Sequence, residues 1–200
     1  MNYLDYPAIG QRIKILRKRK GINQTELAQQ LKKSLRTVQK YETGEIEVSI
    51  AVVNQIADIL ESTPTHILGY ESSNADIKSL SDVMDFLFKL ETVAGIDFRI
   101  DVKKPPRSSQ WQCSLSFDGK SMADHNADMC LFLEQWEQER DDLRTYNSTQ
   151  KAYQKWKEQN LAYYAATAVV CEEAEELDEV TRIEKRKEYL EKVYSSPEKK

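Results

Sequence analysis

The chain has 200 residues, 40% of them hydrophobic, enough for one large globular core or two small ones. Mean hydropathy is negative, and no run approaches the ~18 apolar residues of a membrane span, so a spanning helix is excluded. Three widely spaced cysteines, Cys113, Cys130 and Cys171, exclude a disulfide framework. The start, MNYLDYPAIG, lacks the basic-then-apolar layout of a signal peptide, and the expected location is the cytoplasm. The formal net charge of −4 hides a polarity. Residues 1–44 carry ten Lys and Arg against three Asp and Glu, a balance of +7. Residues 71–200 carry nineteen against twenty-six, a balance of −7. Phosphate contact therefore belongs to the N-terminal part.

In chain order, the first predicted helix runs from about Pro7 to Lys20. Ile9, Ile13 and Leu16 form its apolar stripe, flanked by Arg12, Arg17, Lys18, Arg19 and Lys20. Those charges suit both a helix C-terminus and a phosphate clamp. Asn23 caps a second helix, with Glu26 at the capping-box position and Leu27, Ala28 and Leu31 on one face. Lys32 and Lys33 make a tight corner. Ser34 caps a third helix, in which Val38 and Tyr41 turn inward. Leu35, Arg36, Gln39 and Lys40 are left to point out, and Gly44 stops the helix in the left-handed conformation. A short helix with Arg, Gln and Lys outside suits a DNA major groove. Ser49 opens a fourth helix that buries Val52, Val53, Ile56, Ala57 and Leu60. Thr63-Pro64 opens a fifth, closed by Gly69.

The motifs QTELAQQL, S-x-R-T-V and YETG, followed by a Ser-initiated amphipathic helix, carry a specific resemblance. Over about Ile9 to Leu68 the chain resembles the helix-turn-helix domain of the phage repressor or XRE family. That family usually has Gly at the corner where this chain has Lys32, a departure costing roughly 1 kcal/mol. The resemblance implies a five-helix head that binds double-stranded DNA. It implies contacts from Gln24 and Thr25 at the start of the second helix, and from Lys33, Ser34, Leu35, Arg36, Thr37 and Lys40 around the third. Thr43 would hold the opposite phosphate. It also implies a bridge between Arg17 and Glu42 that locks the third helix to the core.

Beyond Tyr70 the residues place no family. Residues 71–80 read as a linker. Ser81 is expected to cap a helix carrying Val83, Leu87 and Leu90 and stopped by Gly95. Alternation over Ile96 to Val102 and again over Trp111 to Phe117 predicts two strands, with a loop over 103–110. They are expected to pair antiparallel with their apolar faces against helices. Helices follow at about Ala127–Tyr146, burying Leu133 and Trp136, and at Thr149–Ala166, with Tyr153, Trp156, Leu161 and Tyr164. Cys171 to Tyr194 is a charged helix of few apolar residues, an oligomerising or a surface element. Residues 195–200 are expected to be disordered. The expected fold is mainly α: a helix-turn-helix head over 1–70, a linker over 71–80, an α+β dimerisation or sensing domain over 81–166, and a charged extension over 167–200.

Other chemistry is weaker. His125 and Cys130 lie five residues apart, off one helical face, so no metal site is expected; capping by Asn126 and a buried thiol explain the segment. His66 stands alone and makes no ligand set. Ala94-Gly95 resembles the cleavage dipeptide of self-processing phage repressors, but the Ser/Lys dyad on a β-rich domain is missing. No P-loop or HExxH is present. The aromatic residues of 111–164 suit a core, an interface or a ligand pocket. The reading is a sequence-specific DNA-binding transcription regulator without cofactor or enzymatic activity, a repressor acting as a homodimer, with an unidentified effector or protein partner for the acidic half. The alternative is an antitoxin or immunity regulator of a mobile element. An enzyme with a small-molecule domain lacks convergent polar groups, and a pure adaptor is at odds with the +7 head.

Overall fold

The computed structural model describes residues 4–70, 77–104, 111–172 and 176–195. Five helices build the head: α1 (Tyr6–Lys20), α2 (Gln24–Leu31), α3 (Leu35–Thr43), α4 (Ile50–Leu60) and α5 (Pro64–Leu68). Their ends are set by local chemistry. The Asp5 carboxylate accepts from Ala8 N at 3.0 Å and starts α1. Asn23 and Glu26 close a reciprocal capping box on α2. Ser34 and Thr63 cap α3 and α5 through their hydroxyls. Gly21, Gly44 and Gly69 end α1, α3 and α5 at positive φ. Lys32 takes the corner at φ 54°, ψ 40°, the left-handed conformation that the glycine usual at this position would adopt without strain.

The inward stripes meet in one core, in which Ile9, Ile13, Leu27, Val38, Val53, Ile56 and Ile67 are all 1% exposed or less. Each such side chain contributes about 1.5–3 kcal/mol on burial. Gly10 decides how α1 meets α3. A Cβ there would lie 2.4 Å from the Tyr41 carbonyl oxygen, so only glycine permits this crossing. The buried list of α4 is the one its periodicity predicts, Val52, Val53, Ile56, Ala57 and Leu60.

The second half holds α6 (Leu80–Glu91), the antiparallel pair β1 (Phe98–Lys103) and β2 (Gln112–Phe117), α7 (Asn126–Arg144), α8 (Gln150–Tyr164) and α9 (Glu179–Ser195). Phe98 pairs with Phe117 and Lys103 with Gln112. The chain is mainly helical with one two-stranded antiparallel sheet among the described residues, as the sequence predicts.

Several local expectations are corrected. The cap of α6 is Ser79, not Ser81: Asp82 sits three residues after Ser79 and completes a capping box. The helix ends at Glu91, and Gly95 instead occupies the following turn at φ 79°, its carbonyl accepting from His125 N at 2.8 Å. Asn126 does not cap α7. It is 1% exposed, accepts from Asp97 N at 2.9 Å and donates to Asp97 O at 2.8 Å and Asp118 O at 3.1 Å, pinning the base of the hairpin. Cys171 is not helical; it forms an isolated β-bridge with Val93, and α9 starts at Glu179. Of the loop expected over 103–110, Lys103 belongs to β1 and residues 105–110 lie outside the described residues, as do most of the linker (71–76) and the terminal residues 196–200.

The largest correction concerns burial. The apolar faces of the strands are not covered by helices: Ile100 is 63% exposed, Val102 61% and Leu115 41%. On α6, Val83, Met84, Phe86, Leu87 and Phe88 are all exposed. Trp136 is exposed and Leu133 only half-buried. Among the described side chains beyond Tyr70, only Asn126 and Ala162 are buried. Ala162 is buried because α8 lies on the head, where it joins the core cluster. Lys155 on α8 pairs with Asp58 on α4 at 2.7 Å, and Thr65 on α5 donates to the Glu158 carboxylate. Amphipathic periodicity identifies an apolar stripe but not what covers it, so this docking had no signal in the sequence.

Candidate nucleic-acid interface

The predicted contact residues lie at the start of α2, in the corner and along α3. Lys32, Lys33, Ser34, Leu35, Arg36 and Gln39 are exposed, and Thr25 is exposed at the start of α2. Val38, Tyr41 and Glu42 form the buried side of α3. Leu35 is 40% exposed, an apolar side chain left in solvent beside Arg36. Arg36 has no acidic partner among the described residues. Thr37 is half-buried and local: Ser34 Oγ accepts from its N at 3.1 Å, and the two hydroxyls share a 2.8 Å hydrogen bond.

Besides the apolar packing of Val38 and Tyr41, a buried carboxylate fixes α3. Glu42 is 2% exposed and accepts from Arg17 Nε at 2.5 Å, Arg17 Nη2 at 3.0 Å and Gln24 Nε2 at 2.8 Å. Three helices are thus tied at a single buried group. Arg17 also donates to the Ile22 carbonyl at 2.9 Å, which fixes the turn between α1 and α2. Burial alone would push the Glu42 carboxyl up. Hydrogen bonds from Arg17 and Gln24, with the charges of Arg17 and Lys14, outweigh it and hold the group below the usual carboxylate range. The hydrogen bond to Glu42 raises the Arg17 guanidinium against its desolvation.

The participation of Gln24 in this cluster was not predicted. One of its amide protons goes to Glu42, leaving the second and the first backbone N–H of α2 for an outside acceptor. Lys40 and Thr43 are also partly engaged. Lys40 Nζ stands 3.6 Å from a Glu45 carboxylate oxygen, and Thr43 Oγ1 donates to the Lys40 carbonyl at 3.2 Å and toward Glu45 at 3.4 Å. A phosphate at this end of α3 has to displace Glu45. Of the basic residues flanking α1, Arg12 covers the Ile67 carbonyl and Gly69, Arg17 serves Glu42, and Lys20 reaches Ile59 O and Glu61. Lys18 and Arg19 remain exposed at the helix end.

Among the described residues no group of His, Cys, Asp and Glu is arranged to hold a metal ion, and no helix is long and apolar enough to cross a membrane. A family model described as helix-turn-helix matches residues 13–67, the span from the middle of α1 into α5. No curated protein matches the chain. Residues 13–67 are a helix-turn-helix domain of the XRE type, and the protein that carries them is a DNA-binding transcription regulator.

Proposed function

We propose that the protein is a sequence-specific repressor that binds its operator as a homodimer, with residues 1–70 as the reading head and 81–166 as the assembly domain. The carrying observation is the outward face of α3: Leu35 and Arg36, exposed and without internal partners, stand on a helix that Glu42 fixes to the core. In this reading α3 enters the major groove, Arg36 bridges a guanine, and Leu35 packs on a thymine methyl. Gln24, Thr25, Lys33, Ser34, Thr37, Lys40 and Thr43 contact flanking phosphates or bases. Repression follows where the operator overlaps a promoter.

The homodimer is supported by the bare apolar faces of α6 and the hairpin. Monomers rarely leave contiguous apolar surface of this kind in water. The same faces also support a second reading, an antitoxin or immunity regulator whose acidic half binds a different protein. A toxin or metallopeptidase reading frame beside the gene would favour that reading.

Selection of binding sites from a random duplex library by the full chain tests the proposal. The expected product is an inverted repeat with half-sites about one helical turn, ~10 bp, apart or a multiple of it. Failure to enrich any sequence over bulk DNA contradicts sequence-specific reading. Enrichment of a lone half-site contradicts the dimer.

A further inference from the structure

A cleft of about 300 Å³ lies between α7 and α8 and is lined also by Tyr70, the last described residue of the head. Its walls are Tyr70, Phe132, Trp136, Tyr153, Trp156 and Tyr164. Three ring pairs along it are close to parallel. Phe132 and Trp156 differ by 10°, Tyr153 and Trp156 by 12°, and Phe132 and Trp136 by 26°. The rings stack on one another and together make an aromatic wall, on which a flat molecule packs better than a branched one.

Besides the tyrosines and tryptophans, of which the Trp136 indole N–H donates to the Tyr153 hydroxyl at 2.8 Å, Lys157 and Asn160 are the lining residues with polar side chains. The Lys157 ammonium has no acidic partner among the described residues and rests 5.7 Å from the centre of the Tyr153 ring. The half-buried Asn160 amide has no hydrogen-bond partner among them either. A cationic guest is disfavoured, because the cation positions over the rings are already held by Lys157 at Tyr153 and Arg140 at Trp136, 5.4 Å from its centre. What these groups lack is an anion. The size falls at the lower end of small-molecule sites, which pair apolar walls with a few placed polar groups.

We propose that the cleft between α7 and α8 is a binding site for a planar aromatic organic anion, laid against its aromatic walls, with its carboxylate or similar group held by Lys157 and Asn160. Binding here does not depend on the head's reading of DNA.

The test titrates the full chain with two fluorescent probes of similar shape: anilinonaphthalene sulfonate, which is anionic, and phenylnaphthylamine, which is neutral. Saturable binding of both at one site per chain is expected. Leu161→Trp fills the cleft from an exposed position and should abolish saturable binding of both. Lys157→Gln should weaken the sulfonate about tenfold and leave the neutral probe unchanged. Saturable binding that survives Leu161→Trp overturns the site, because the dye then rests on the bare faces of α6 and the hairpin. Equal behaviour of both probes in Lys157→Gln overturns the anionic class, and that readout stands even if the tryptophan variant folds poorly.

Discussion

Glu42 is the residue on which the position of α3 depends. Removing it leaves Arg17 buried with only the Ile22 carbonyl to satisfy it. Glu42→Ala should therefore cost about 3–5 kcal/mol of stability, measured by urea unfolding. The pH dependence has a definite sign. The folded Glu42 carboxyl titrates below its ordinary value of 4.5, so its contribution is complete above that pH and is lost as pH falls through the lower, folded value. Unfolding free energy should drop on acidification below about 4.5 in the native chain, with a shallower drop in Glu42→Gln. Identical slopes would show that Glu42 is not the group responsible. Glu45 makes the opposite case. Its carboxylate faces Lys40 and Thr43 where a phosphate is expected, so Glu45→Gln should tighten DNA binding at low salt, an effect that fades as salt rises. Unchanged affinity at low salt would mean that the end of α3 stays clear of the backbone.

At the scale of elements, the tightest constraint is the crossing of α1 over α3. Gly10→Ala places a methyl against the Tyr41 carbonyl and should destabilise the head by about 1–3 kcal/mol. A neutral effect, read by thermal unfolding, would mean that the two helices slide apart freely. The head was largely legible because each of its signals is local: caps lie three residues from their partners, stops are glycines, and apolar stripes repeat at helical spacing. Lys32 shows that the corner tolerates a non-glycine residue at φ 54°. The cap of α6 was misassigned because Ser79 and Ser81 both precede the apolar stripe, and only Asp82 distinguishes them. The bare hairpin and α6 faces were not legible at all. Alternation says that a strand has two unlike faces, and nothing in it says that a partner stands opposite. If a second copy covers α6, Leu87→Asp should convert a dimer to a monomer in sedimentation. An unaltered dimer moves the interface elsewhere.

The whole molecule is polarised. A basic head carries α3 with its outward face exposed, and an acidic half carries the bare apolar surface. The two are joined by more than a tether, since α8 covers Thr65 and places Ala162 in the head's core. A fragment ending at Tyr70 should thus be monomeric and also melt lower than the head in the full chain. Equal melting would mean that the α8 contact contributes no stability. The central claim, that α3 reads bases, rests most directly on Arg36. It follows the Ser34 cap by two residues, it is exposed, and its neighbours at the next turn, Gln39 and Lys40, offer it no carboxylate. The decisive measurement compares native protein and Arg36→Ala on the selected operator and on duplexes substituted one base pair at a time, at two salt concentrations. The account predicts a loss of about 1–3 kcal/mol on the operator and relaxed preference at one base pair in each half-site. Unchanged affinity on every duplex would contradict it, for α3 would then not be the reading element.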